Sequence, residues 1–137
     1  MATIDDAVQA VVDIIDAVSG VREAPDYPGD SVPAPLTCYV YSPEAVWSWA
    51  EFGEVRPVGS IRAHLFYPHI DLARAIKALM PFADSIPKAI LAKPTLSGKV
   101  IGFEGVRCRL EPTEWAGLGY AQIVFTIEGV EWNEQAV

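Results

Sequence analysis

Residues 61–91 decide the fold: Ile61-Arg62-Ala63-His64-Leu65-Phe66-Tyr67-Pro68, then HIDLARAIKALM to Met80 and PFADSIPKAIL to Leu91. Ile61, Ala63, Leu65 and Tyr67 alternate with Arg62, His64 and Phe66, the period of a strand with one buried face. Pro68 stops that strand. Ala73, Ile76, Leu79, Met80, Ala83, Ile86 and Ile90 then recur every three or four residues, which gathers them on one side of a helix. Asp71 falls in the first turn, where a negative charge suits the helix dipole. Pro81 and Pro87 lack the N–H that an interior helical bond needs. The expectation is a helix over residues 70–80, a kink or break, and a final turn over 87–92 with Asp84 or Ser85 as its cap.

Upstream, Thr3 to Gly20 reads as a first helix. Thr3 caps it, Asp5 and Asp6 occupy the first turn, and Gly20 is a natural stop. Ile4, Val8, Val11, Val12, Ile15 and Val18 form its apolar stripe, while Asp5, Asp6, Gln9, Asp13 and Asp16 face outward. Residues 22–35 hold four prolines and read as an extended loop long enough to reach a neighbour. Leu36 to Tyr41 is a strand that Pro43 ends. Residues 46–52, with Trp47 and Trp49, fit either a strand paired with 58–67 or a short helix. Gly53 and Pro57–Gly59 read as turns around that segment.

Downstream, 94–98 is a loop. Val100 to Leu110 is a strand with Val106, Cys108 and Leu110 on one face and Phe103, Arg107 and Arg109 on the other. Pro112 to Gly119 is a turn region. Tyr120 to Trp132 is the last strand, Ala121, Ile123, Phe125 and Ile127 pointing one way and Tyr120, Gln122, Val124, Thr126 and Glu128 the other. Little holds the tail from Asn133. Together these elements predict one α+β domain spanning 1–137: a mainly antiparallel sheet of four to five strands with two helices packed on one face.

Charge is unevenly spread. Residues 1–54 hold ten acids and one base, and residues 55–137 hold eight acids and nine bases, within a net charge of −8. An acidic half disfavours tight binding to a nucleic-acid backbone, where cations must replace counterions. No apolar run has the length of a membrane span, and the first residues lack the pattern of a signal peptide. Cys38 and Cys108 fall inside strands and are expected to be buried free thiols.

Patterns for chemistry are sparse. His64 and His69 are five apart across a proline, with no cysteine or clustered carboxylate beside them, so no metal is expected. Ser97-Gly98-Lys99 lacks the upstream glycine of a phosphate loop and precedes a strand. Gly117-Leu118-Gly119 reads as turn chemistry. No serine sits in a nucleophile elbow. Glu104, Glu111 and Glu114 show no spacing that marks an acid/base pair. Neither catalytic residues nor a cofactor is expected.

A set of features resembles one family. An acidic amphipathic helix ends in a glycine and leads into Ala24-Pro25-Asp26-Tyr27-Pro28; a strand at Leu36–Tyr41, a strand with His64 and the helix Asp71–Met80 follow. Then come Ile86-Pro87-Lys88-Ala89-Ile90-Leu91, the loop Thr95-Leu96-Ser97-Gly98, and a strand rising from Trp115-Ala116-Gly117-Leu118-Gly119-Tyr120 to Trp132. This looks like the tail-terminator and tail-completion proteins of tailed bacteriophages, over nearly the whole chain except residues 43–60. The resemblance implies an α+β subunit of a homo-hexameric ring that caps the tail tube, stops its growth and meets the head connector or neck protein. Double-stranded DNA would pass through without specific binding, no reaction would be catalysed, and no membrane would be involved. The protein would lie in the virion tail, and in the host cytoplasm before assembly.

A ring needs two different sticky surfaces on each subunit. Tyr27, Trp47, Trp49, Phe52, Arg107 and Arg109 are the candidates for subunit or partner contacts. Asp5, Asp13, Asp16, Glu23, Asp26 and Asp30 are the candidates for lining a bore that offers phosphates no cations. Two other readings are open. One keeps the virion but makes the chain a head–tail joining protein or tube subunit. The other is a small metabolite-binding or catalytic domain, with a pocket that includes His64, Arg62, Arg107 or Arg109.

Overall fold

A computed structural model describes residues 3–18, 20–21, 24, 36–51, 54–68, 72–115, 118–132 and 134–135. The elements run α1 (Ile4–Asp16), β1 (Thr37–Glu51), β2 (Glu54–Pro68), α2 (Leu72–Leu91), β3 (Gly105–Trp115), β4 (Leu118–Glu131) and β5 (Glu134–Gln135). All strand pairs are antiparallel and the spatial order is β1-β2-β4-β3, with β5 continuing the edge of β2 beyond β4. Because β4 lies between β2 and β3, those two run parallel, and α2 is the crossover that joins them. Both helices cover one face: α1 lies over β1, and α2 crosses β2, β3 and β4. The α+β arrangement expected from the sequence is the one observed.

Thr3 caps α1 with a reciprocal pair of bonds, its hydroxyl accepting from the Asp6 N–H and the Asp6 carboxylate accepting from the Thr3 N–H. The bond from the Thr3 backbone is the main cause holding the Asp6 carboxyl below its ordinary range. The helix buries Ala7, Ala10, Val11, Val12, Ile14 and Ile15. Beneath it, Cys38 and Val40 of β1, Ile61, Ala63 and Leu65 of β2, and Ala121, Ile123, Phe125 and Ile127 of β4 supply the sheet side of one core.

Several boundaries differ from expectation. Pro43 does not end β1. It sits where the register with β2 shifts between Tyr41 and Glu44, so Ser42 and Pro43 form a bulge. Proline is tolerated there because a bulged edge residue owes no N–H to the ladder. The Ser42 hydroxyl donates instead to the Ser60 carbonyl at 2.7 Å. Residues 46–51 are therefore strand, and Pro57–Gly59 belong to β2 rather than to a turn. Gly59 is required by close approach, since a Cβ there would lie 2.6 Å from the Glu44 carbonyl oxygen.

A second bulge lies in β4. Gly59 pairs with Val130 but Ile61 pairs with Ile127, so Glu128 and Gly129 together face Ser60. Gly129 takes φ 64°, a conformation glycine adopts without strain. The extra residue reverses the alternation, which is why Val130 and Trp132 join the odd-numbered Ile123, Phe125 and Ile127 in the core.

α2 is one unbroken helix through Pro81 and Pro87, not a helix, a break and a final turn. Its buried line is Ala75, Leu79, Phe82, Ile86 and Ile90; Ile76 and Ala83 are half-buried, and Ala73 and Met80 are exposed. Asp84 is interior to α2 and pairs with Lys88 at 2.9 Å instead of capping a turn. Asp71 lies outside the described residues. In the third strand, regular pairing begins at Gly105 rather than Val100, apart from a bridge between Gly102 and Glu131. β3 continues to Trp115 and pairs up to Leu118, so 112–115 and 118–119 are ladder, not turn. The tail is held in part, because Glu134 and Gln135 pair with Val55 and Glu54.

The two cysteines differ. Cys38 is buried and free, and burial pushes its thiol far above its ordinary value. Cys108 is free but exposed, on the helix-facing side of β3 at the edge of the sheet, so the expectation of two buried thiols is half wrong. A thiol reagent should modify one cysteine in the folded protein and two after denaturation. Rapid modification of both in the native state would contradict this packing.

Candidate functional site: the sheet face opposite the helices

Residues opposite the helices form three cross-strand rows. Tyr41, Arg62, Thr126 and Arg107 make the first; Tyr39, His64, Val124 and Arg109 the second; Thr37, Phe66, Gln122 and Glu111 the third. Residues two strands apart in one row are roughly 10 Å from each other at Cα, close enough for long side chains to converge.

Aromatic rings fill one side of this face. Tyr39 and Phe66 are buried and meet edge to face at 5.7 Å. His64 stacks between Tyr41 and Phe66, at 5.4 and 6.0 Å. A chain of polar contacts crosses the strands from there. The Tyr41 hydroxyl is 3.0 Å from His64 Nε2, and His64 Nδ1 is 2.8 Å from Gln122 Oε1. Gln122 Nε2 donates to Glu111 Oε1 at 3.3 Å, and Arg109 Nε meets Glu111 Oε2 at 3.2 Å. The chain is satisfied when His64 is neutral with its proton on Nδ1, donating to Gln122 while Nε2 accepts from Tyr41. Burial, the largest effect, holds the imidazole below its ordinary value, and the Arg62 charge acts the same way. The Gln122 bond and Glu111 oppose them.

This sets a pH dependence. The unfolded chain takes up the His64 proton near 6.5, before the folded protein does. Stability is therefore lost as pH falls below that point, until the folded imidazole is protonated as well. A His64→Gln variant should show a shallower loss of stability between neutrality and about pH 5 in urea titrations. Equal slopes for both proteins would mean that His64 does not contribute.

Arginines occupy the other side. Arg107 pairs with Glu128 at 3.2 Å and Arg109 with Glu111, and both arginine side chains are mostly in solvent, 72% and 77% exposed. Such pairs contribute about 0–1 kcal/mol each. Arg62 is set deeper, and its Nε is shielded from solvent with no hydrogen-bond partner among the described residues. Arg62, His64, Arg107, Arg109, Thr126 and Glu128 help line a cavity of about 230 Å³ here. Single-sequence reading placed Arg107 and Arg109 on one face. It did not bring Arg62 to them, nor single out Tyr41, Gln122 and Glu111, because β4 separates β2 from β3 and that order is not written locally.

A second exposed region is the far half of the β1–β2 hairpin. Trp47 is 50% exposed and touches the buried Trp132 edge to face at 6.2 Å. Val46 and Val58, paired across the strands, are 63% and 37% exposed on the opposite side. Trp49 belongs to β1 and pairs with Val55. Of the remaining candidates, Asp5, Asp13 and Asp16 are exposed on α1. Tyr27, Phe52, Glu23, Asp26 and Asp30 lie outside the described residues, as does His69. A groove of about 770 Å³ runs between α1 and the end of α2, with Ala10, Ile14 and Ala89 along it and Asp6, Asp13, Lys93 and Lys99 at its edges.

Among the described residues, no group of three or more His, Cys, Asp or Glu side chains could hold a metal ion. No described helix is long and apolar enough to cross a membrane. No family model and no curated protein matches the chain.

Proposed function

We propose that this chain is a structural protein of a bacteriophage tail: a terminator that forms a hexameric ring, caps the tail tube and joins it to the head connector. It would work by shape and self-association in the virion, after assembly in the host cytoplasm, and would catalyse no reaction. Beyond the resemblance in sequence, the observation that carries this reading is a pair of unlike exposed surfaces on one subunit. One is the half-exposed Trp47 on the long hairpin; the other is the arginine-lined face around Arg62. A closed ring needs at least two dissimilar contact surfaces on each subunit. A net charge of −8 suits a channel through which DNA slides without adhering. Electron micrographs of virions lacking the protein should show tails of uncontrolled length without heads. Normal particles would overturn the proposal, and long cylinders formed by the purified protein would favour a tube subunit instead.

One observation favours a second reading. The cavity gathers Arg62, His64, Arg107 and Arg109, each of them an alternative candidate for the pocket of a metabolite-binding domain. At about 230 Å³ it falls below the roughly 300–1,000 Å³ of small-molecule sites, so it suits a single oxyanion group rather than a whole metabolite. Thermal-shift measurements with small carboxylates and phosphates test this directly.

A further inference from the structure

We infer that the arginine cluster on the sheet face opposite the helices receives the acidic face of α1 from a second copy of this chain, forming the seam between subunits. This rests on the ring reading and deepens it. It also assigns Asp5, Asp13 and Asp16 to the seam and not to the bore.

Three observations lead there. First, the cluster has positive charge left unmet. Three arginines face two glutamates, and each glutamate already binds an exposed arginine, Glu128 with Arg107 and Glu111 with Arg109. Arg62 Nε, shielded and without an acceptor, is a donor aimed at nothing the described residues supply. A buried donor left unpaired costs free energy, so an oxygen from outside is the expected partner. The cavity of about 230 Å³ has room for one carboxylate and a few waters.

Second, α1 offers such oxygens. Asp5, Asp13 and Asp16 are exposed, and the last turn of the helix holds no basic residue. Asp13 and Asp16 are three apart and so neighbours on the helix surface. Third, the two surfaces lie on opposite sides of the sheet, since α1 belongs to the helix layer and the arginines to the other face. They cannot meet within one chain. Between copies they meet head to tail, the arrangement that closes into a ring. The exposed ion pairs of Arg107 and Arg109 are weak enough to be exchanged for contacts to a neighbour.

The test uses two full-length variants, Asp13→Lys with Asp16→Lys, and Arg107→Glu with Arg109→Glu. All four side chains are exposed, and circular dichroism with thermal melting checks that each variant folds. Mass in solution is then measured at about 50 mM salt, where screening is weak. Wild type should associate, and each variant alone should lose at least about tenfold in apparent association constant, because like charges then face each other. An equimolar mixture should regain assembly, since the lysines of one variant meet the glutamates of the other. Variants that associate as wild type does, a mixture that stays dissociated, or a wild type that remains monomeric would each overturn the seam. A wild-type hexamer indifferent to both variants removes this seam and leaves the ring. A wild type that forms no ring either alone or on isolated tail tubes removes both.

Discussion

Trp132→Ala should destabilise the protein by about 3–5 kcal/mol, the range for removing a fully buried aromatic side chain. Trp132 is 1% exposed, belongs to the main core and directly follows β4. It also supports the far half of the hairpin through its edge-to-face contact with Trp47. Its backbone N–H reaches the Pro57 carbonyl at 3.4 Å, so the same residue ties β4 to the hairpin twice. Two losses are therefore expected together: a cavity in the core and a hairpin with one ring unsupported. Trp47→Ala is the control. Trp47 is half in solvent, and its removal forfeits the ring pair and modest area, about 1 kcal/mol. Urea unfolding followed by circular dichroism gives both numbers. A Trp132→Ala cost near that of Trp47→Ala would contradict the placement of Trp132 in the core.

The second large effect has the opposite sign. Pro81→Ala should stabilise the protein by about 2 kcal/mol. Proline inside a helix is about 3 kcal/mol less favourable than alanine, and part of that gain is offset by the greater freedom alanine gives the unfolded chain. Pro81 is exposed within α2, so its ring contributes little packing that alanine would forfeit. The new N–H would bond the Lys77 carbonyl, completing the ladder at that turn. The measure is the shift in urea midpoint at unchanged slope. A loss of stability would show that the proline is itself a packing residue.

The same helix shows where local sequence reasoning stops. Each proline removes one backbone bond, which argues for a break. Phe82, Ile86 and Ile90 are buried on the sheet beyond Pro81, and each such burial contributes about 1.5–3 kcal/mol. Packing outweighs the missing bonds, so the helix runs on. Ala75 and Phe82 replace Ala73 and Met80 in the buried line for a related reason: the face that counts is the one turned to the sheet, and a stripe of similar residues does not reveal its exact centre. The sheet face opposite the helices was legible only in pieces. The alternation of β2 and β4 placed Arg62, His64, Gln122 and Thr126 on polar faces, but their conjunction with Arg107 and Arg109 needed the strand order.

The α+β class, the capped and acidic α1, and the alternation of β2 and β4 on either side of the core are all written in the local sequence. These follow from periodicity and capping, which act over a few residues. The bulge at Pro43, the reversal at Gly129 that buries Trp132, and the meeting of three arginines from two strands in one cavity arise instead from long-range packing. A bulge is defined by what the partner strand does, and a cluster by which strand lies between. Both are set by contacts between residues distant in the chain, whose energies no short window of sequence contains.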